Sequence, residues 1–215
     1  VETDTERMAQ RYMAQMREIK ARIGVLREMT SSPEFDMDLA GIKQMVQLEG
    51  IALQLRKVLE LLAFSSLVAN NDRVRALTED GNLVKFQYAK KLLNYLESLH
   101  DDFFPIGGEV GEVEASGATH ISIGHLDVLT KQEFATLYDL CSNCLHVWNP
   151  FRQQEAVIDW GRPIPEWVDR IGGLLRFHVV YLWGGDRLLC TLSDQKEAGD
   201  VSLTLARPRR NLTSS

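Results

Sequence analysis

The chain has little cysteine: three in 215 residues, Cys141, Cys144 and Cys190. So sparse and odd a set cannot build a disulfide scaffold and fits a reducing cytoplasm. Apolar runs are short as well. The longest, residues 61–64 and 67–69 on either side of two serines, falls well below the length needed to span a bilayer. The opening Val-Glu-Thr-Asp has no basic-then-apolar run, so no secretory signal is expected. Positive charge is not in excess; the net charge of -6 at pH 7 disfavours coating of nucleic acid by global attraction, though a local basic face stays open. Gly107, Gly108 and Gly111 lack the spacing of a phosphate loop, no Gly-x-Ser-x-Gly elbow occurs, and no internal repeat is apparent. What remains is 45% apolar and 25% charged, which excludes wholesale disorder and suits one large domain.

Periodicity organises that composition. Ala9, Tyr12, Met16, Ile19, Ile23 and Leu26 step by three and four, which predicts an amphipathic helix over residues 1–30 carrying most of its arginines off the apolar stripe. Pro33 breaks it. From Leu39 to about Val68 the chain is apolar nearly all round, the signature of a helix at the centre of a bundle. A third helix is expected from about Leu83 to His100. Residues 105–125 are rich in glycine and acids and read as an insertion, with a short strand at Thr119–Ile123. Thr130 and Glu133 form a capping box for a fourth helix that Pro150 stops. Pro163 and Pro165 open a fifth, read through about Trp183 to Gly184 and Gly185. Residues 187–206 read as a β-hairpin, and the tail after Ala206, with Arg207, Arg209 and Arg210, as a frayed end. The expected fold is mainly α: a single domain over 1–215 whose 36–183 portion is a bundle of about five helices, with a small antiparallel β appendage of three strands.

Charges on the central helix are its informative residues. Glu49, Arg56 and Glu60 are seven and four apart and share a face, so they are expected to line a polar seam, because an unpaired buried charge is prohibitively costly. Arg56 and Glu60 are placed to pair at i,i+4. Cys141, Cys144 and His146 have metal-like spacing, but on a continuous helix His146 lies about 140° around the axis from Cys141, so no metal and no other cofactor is expected. His178 sits among Leu174, Leu175, Val179 and Leu182 and reads as a core or subunit-contact histidine. His120 and His125 flank a strand with no partner ligands in sequence. Trp148 and Trp160 bracket a loop where a base has room to stack.

The segment from Tyr138 to Phe151 is the densest in functional residue types. A histidine at a helix C-terminus is favoured in its charged form and titrates near neutrality. The order of helices, together with a helix that closes on Leu145-His146 ahead of Asn149-Pro150-Phe151, resembles the HEPN-type helical bundles over about residues 36–183. The resemblance implies a nucleotide- or RNA-associated domain of bacterial toxin and defence systems. It also implies, in active members, an arginine shortly before the histidine that joins it in cleaving RNA. Asp139, Leu140 and Cys141 occupy that place here. Only His146 carries over, so the expected function is that of a non-enzymatic or degenerate HEPN-like protein in bacterial stress or phage defence. Its partner would be a protein, including a second copy, or a nucleotide or RNA ligand; no membrane is involved. Glu49, Glu60, Trp148 and Asn149 are the candidate ligand-binding residues. One alternative is a ribonuclease using His146 with Arg56 or Arg152; another is a structural module dimerising through the first helix.

Overall fold

The computed structural model describes residues 3–31, 41–70, 89–99, 102–115, 119–124, 127–147, 151, 158–182, 185–192 and 201–207. Five helices and one five-stranded antiparallel sheet lie among them. Helix α1 spans Asp4–Ser31 and buries Tyr12, Met16, Ile19, Ile23 and Leu26, the stripe its spacing predicts. Each such side chain contributes about 1.5–3 kcal/mol when fully buried. Thr3 starts the helix: its hydroxyl accepts from the Glu6 N–H at 3.2 Å, and its own N–H donates to Glu6 at 2.7 Å. Helix α2, Ile42–Ala69, runs antiparallel to α1, as the Arg22–Gln54 hydrogen bond of 2.6 Å and the Tyr12–Ser65 proximity show. Helix α3, Ala89–Leu99, adds Leu92 and Leu96 to the same core.

Helix α4, Lys131–Leu145, begins with the expected capping box, Thr130 accepting from the Glu133 N–H at 3.2 Å and donating its own N–H back at 3.0 Å. Helix α5 spans Ile164–Arg176. Arg170 of α5 ties the start of α4 to its own helix by donating to Glu133 at 2.9 Å, to the Val128 carbonyl at 2.8 Å and to Asp127. Arg162 donates to the other Glu133 oxygen at 2.9 Å and lies over the Trp167 ring. Glu133 thus anchors a knot between two helices; burial pushes its pKa up, but Thr130 and Arg170 outweigh that and hold it below the ordinary value.

The β portion is larger than its periodicity suggests. The fifth helix stops at Arg176, not near Trp183, and strand β3, Phe177–Tyr181, follows with no intervening residue. Phe177, Val179, Val180 and Tyr181 are β-formers, and residues 177–180 are all buried because β3 lies between two other strands. Residues read as an insertion form strands β1, Ile106–Val113, and β2, Thr119–Ile123. With β4, Arg187–Leu192, and β5, Val201–Ala206, the order is β2-β1-β3-β4-β5. The mainly α fold with a small antiparallel β appendage is as expected, and the sheet has five strands rather than three, β1 and β3 joining those read from the sequence. Gly108 is needed where β1 crosses; a Cβ there would stand 2.7 Å from the Ser122 carbonyl oxygen and 3.2 Å from the Phe177 ring. At the centre, the Tyr12 hydroxyl meets His178 Nε2 at 2.8 Å, and His178 Nδ1 lies 3.2 Å from the Leu175 carbonyl, so His178 is a satisfied core histidine joining helix to sheet.

Candidate functional site

The polar seam forms where α2 packs on α4. Arg56 Nε donates to Glu60 Oε1 at 3.1 Å, each side chain 27% exposed, and the Tyr138 hydroxyl reaches the same oxygen at 3.4 Å. The Arg56 guanidinium lies 5.2 Å from the centroid of the Tyr138 ring, within cation–π range. Behind it Phe134 stacks on Tyr138 at 6.3 Å, and Phe104 meets Phe134 edge-on at 5.9 Å. Burial works against the Arg56 charge, but Glu60 and Tyr138 outweigh it and raise its pKa above the usual arginine value. Burial likewise raises Tyr138, with Arg56 opposing. The cation is spoken for by its neighbours, and the pair is a geometry that stabilises the helix contact.

One level further along α4, burial pushes the Cys141 thiol up to about 12, with Cys144 adding to it. Cys144 is raised by burial and then by the charge of Glu49. Both are thiols at neutral pH, so neither is an activated nucleophile or a ready metal ligand. Among the described residues no group of three or more His, Cys, Asp or Glu side chains is arranged to hold a metal ion. Glu49 is half-buried at the end of the seam nearest Cys144.

His146 stands apart. It is the C-cap of α4, in extended conformation with its N–H directed to the Asn143 carbonyl at 3.3 Å, and its imidazole is exposed. Since α4 runs antiparallel to α2, with Tyr138 beside Glu60 and Cys144 beside Glu49, eight residues separate the Tyr138 level from His146, about 12 Å along the axis. The structure brings Glu49, Arg56 and Glu60 to one interface and leaves His146 beyond its far end. Trp148, Asn149 and Arg152 lie outside the described residues, as do His125, Arg209 and Arg210. Trp160 is buried and its carbonyl accepts from Trp167 Nε1 at 3.1 Å, so it is no stacking platform.

No family model matches the chain, and no curated protein or solved structure matches it either. The site must be read from its own residues. Tyr138 is the seam member that sequence missed, because an aromatic on an apolar stripe gives no hint of its hydroxyl's partner. A second feature was hidden by the uniform hydropathy of α2. Ile42, Met45, Val46 and Leu53 are exposed, from 42% to 74%, although Ile51, Leu55, Val58 and Leu59 of the same helix are sealed. Val147, just past the end of α4 that lies beside the start of α2, is 98% exposed. Among the described residues no helix is long and apolar enough to cross a membrane.

Proposed function

We propose that the protein is a non-catalytic binding module that docks through the open end of its bundle, and that its partner there is a second copy of the chain. The observation that carries this is the exposed stripe of α2. Ile42, Val46 and Leu53 fall within about 40° around the helix axis, a contiguous strip rather than scattered apolar residues. With Met45, Val25 and Val147 they leave on the order of 600 Å² open per copy, so covering both patches buries on the order of 1,200 Å², the lower end for a specific interface. A two-fold axis at Val46 lays α2 antiparallel across itself, so that each copy covers the strip of the other. Such isologous pairing is the commonest form of closed assembly.

Support for the non-catalytic half comes from the seam. RNA cleavage needs a proton-transfer group and a cation at one phosphate. Arg56 is engaged by Glu60 and Tyr138, and His146 is about 12 Å further along the helix. The HEPN-type resemblance concerns helix order and is not what this reading rests on.

Light scattering on the eluting protein tests it, with the double substitution Met45→Asp and Val46→Asp as the comparison. Wild type is expected as a dimer at about 100 μM and the variant as a monomer with unchanged circular dichroism. A wild-type monomer at that concentration overturns the self-association, and so does a variant that stays dimeric. Multiple-turnover cutting of RNA that depends on His146 overturns the non-catalytic half.

A further inference from the structure

The β1–β2 hairpin reaches past the body of the sheet. Strand β1 pairs with β3 through Ile106 and Gly107, which stand opposite Val179 and His178. Continuing that register puts Gly108 opposite Phe177, where β3 begins at the end of α5. Residues 109–113 of β1 therefore have β2 on one side and, among the described residues, no strand on the other. The bonding pattern fixes which backbone groups are left over. The Gly124 N–H donates to the Gly107 carbonyl at 3.0 Å, so the backbone groups of Gly107 and Glu109 turn toward β2, and those of Gly108 and Val110 turn the other way. For Gly108 that way lies β3; for Val110 it is an open edge.

A ribbon of two strands is marginal in water and gains from a third. Its side chains say which kind of third strand fits. Val110 is 52% exposed, although it stands opposite half-buried Ile121. Glu109, opposite Ser122, and Glu112 are exposed and make no ion pair with a described residue. No lysine or arginine occurs from residue 106 to residue 124. A second copy of the ribbon, paired edge to edge, would bring these glutamates against their own kind, and like charges across a strand pair are destabilising. The edge is closed to itself and open to positive charge.

We infer that the open edge of β1 takes up an extended, basic segment of a partner protein as an added strand. Backbone hydrogen bonds to the N–H and C=O of Val110 hold that segment in place. An apolar residue beside Val110 continues the face that Val110 and Ile121 begin, and a lysine or arginine beside Glu109 makes a cross-strand ion pair. Because neighbouring side chains of a strand point to opposite faces, the pattern recognised is an alternation of basic and apolar residues. The edge shares no residue with the exposed strip of α2, so it stands whether or not the chain dimerises there.

Fluorescence anisotropy of a labelled Lys-Val-Lys-Val-Lys-Val-Lys peptide, titrated with the full chain at low ionic strength, tests the inference. Saturable binding is expected at about 100 μM or below. The same alternation with glutamate in place of lysine should not bind. Nor should the same lysines separated by prolines, which keep the charge but cannot join a ladder. Equal binding of the proline peptide overturns the strand addition, and equal binding of the glutamate peptide overturns the charge selection. Glu109→Gln combined with Glu112→Gln is expected to weaken binding about threefold to tenfold; unchanged affinity in that variant overturns the role of the two carboxylates. At saturation, hydrogen exchange at the Val110 amide should slow by about tenfold or more, which charge attraction alone would not cause. If the double variant disturbs the hairpin, this measurement on the wild type decides. No binding at about 1 mM overturns the inference, as does an unchanged Val110 exchange rate in the bound state. A Val110 amide already protected before peptide is added assigns the edge to a second copy, and overturns it too.

Discussion

Lowering the pH should destabilise this protein through His178. His178 is fully buried, and burial lowers its pKa to about 4, with the hydrogen bond to the Leu175 carbonyl opposing only in part. In the fold the imidazole is neutral, Nδ1–H donating to Leu175 and Nε2 accepting from the Tyr12 hydroxyl. The unfolded chain takes up the proton at the ordinary histidine value, near 6.5. Stability from this group is therefore complete above about pH 6.5 and is lost progressively as the pH falls toward 4. The gap between the two values corresponds to about 3 kcal/mol, a large part of the roughly 5–15 kcal/mol of a typical domain. Urea midpoints read by circular dichroism at intervals from pH 7.5 to about pH 4.5 give the slope directly. His178→Gln should be less stable at neutral pH, through one imperfectly replaced hydrogen bond, yet show a flatter profile between about pH 6.5 and 4.5. Equal slopes for wild type and variant would refute the reasoning, because the acid sensitivity would then belong to other groups.

Three further substitutions test the packing. Gly108→Ala should cost about 1–3 kcal/mol by urea melt, since its Cβ meets a backbone oxygen that cannot move aside, whereas Gly24→Ala, in open space on a helix, should gain about 0.5–1 kcal/mol. Gln44 is buried with neither side-chain polar atom hydrogen-bonded, so Gln44→Met should raise the thermal midpoint, by the equivalent of about 1–3 kcal/mol; an unchanged or lower midpoint would mean that the amide has a partner in solution.

Much of the helical frame was legible because helices announce themselves twice, by period and by cap. The stripe from Tyr12 to Leu26 and the Thr130–Glu133 box are local signals, and the structure repeats both. Strand β3 was not legible for a physical reason. Leu174, Leu175, His178, Val179 and Leu182 continue a helical spacing, and no glycine or proline separates Arg176 from Phe177. What turns that run into a strand is distant: β1 and β4 pair with it on both sides. The glycines of β1 suggested an insertion, yet Gly108 is there because three neighbours crowd it. The Arg56–Glu60 pair was readable from its i,i+4 spacing. The separation of His146 from Arg56 was not, because sequence gives neither the direction in which α4 crosses α2 nor the level at which the two meet. The open side of α2 was likewise invisible, since exposed Val46 and buried Val58 are the same residue type.

The Tyr12–His178 hydrogen bond spans 166 positions of sequence. As the chain emerges in order from a ribosome, the Tyr12 hydroxyl can meet Ser65 of α2 early, but it meets His178 only after the second half has been made. A core that closed early over α1 and α2 alone would leave that hydroxyl with Ser65 but without its contact to His178. The same delay governs the sheet, whose β1 cannot pair with β3 until α4 and α5 have been synthesised between them. Contacts so distant in sequence slow the search for the native state, and an early product that waits with exposed apolar surface is prone to associate with its neighbours. The docking of β3 is thus the step that commits the chain: it joins Tyr12 of α1 to His178 of the sheet across the core.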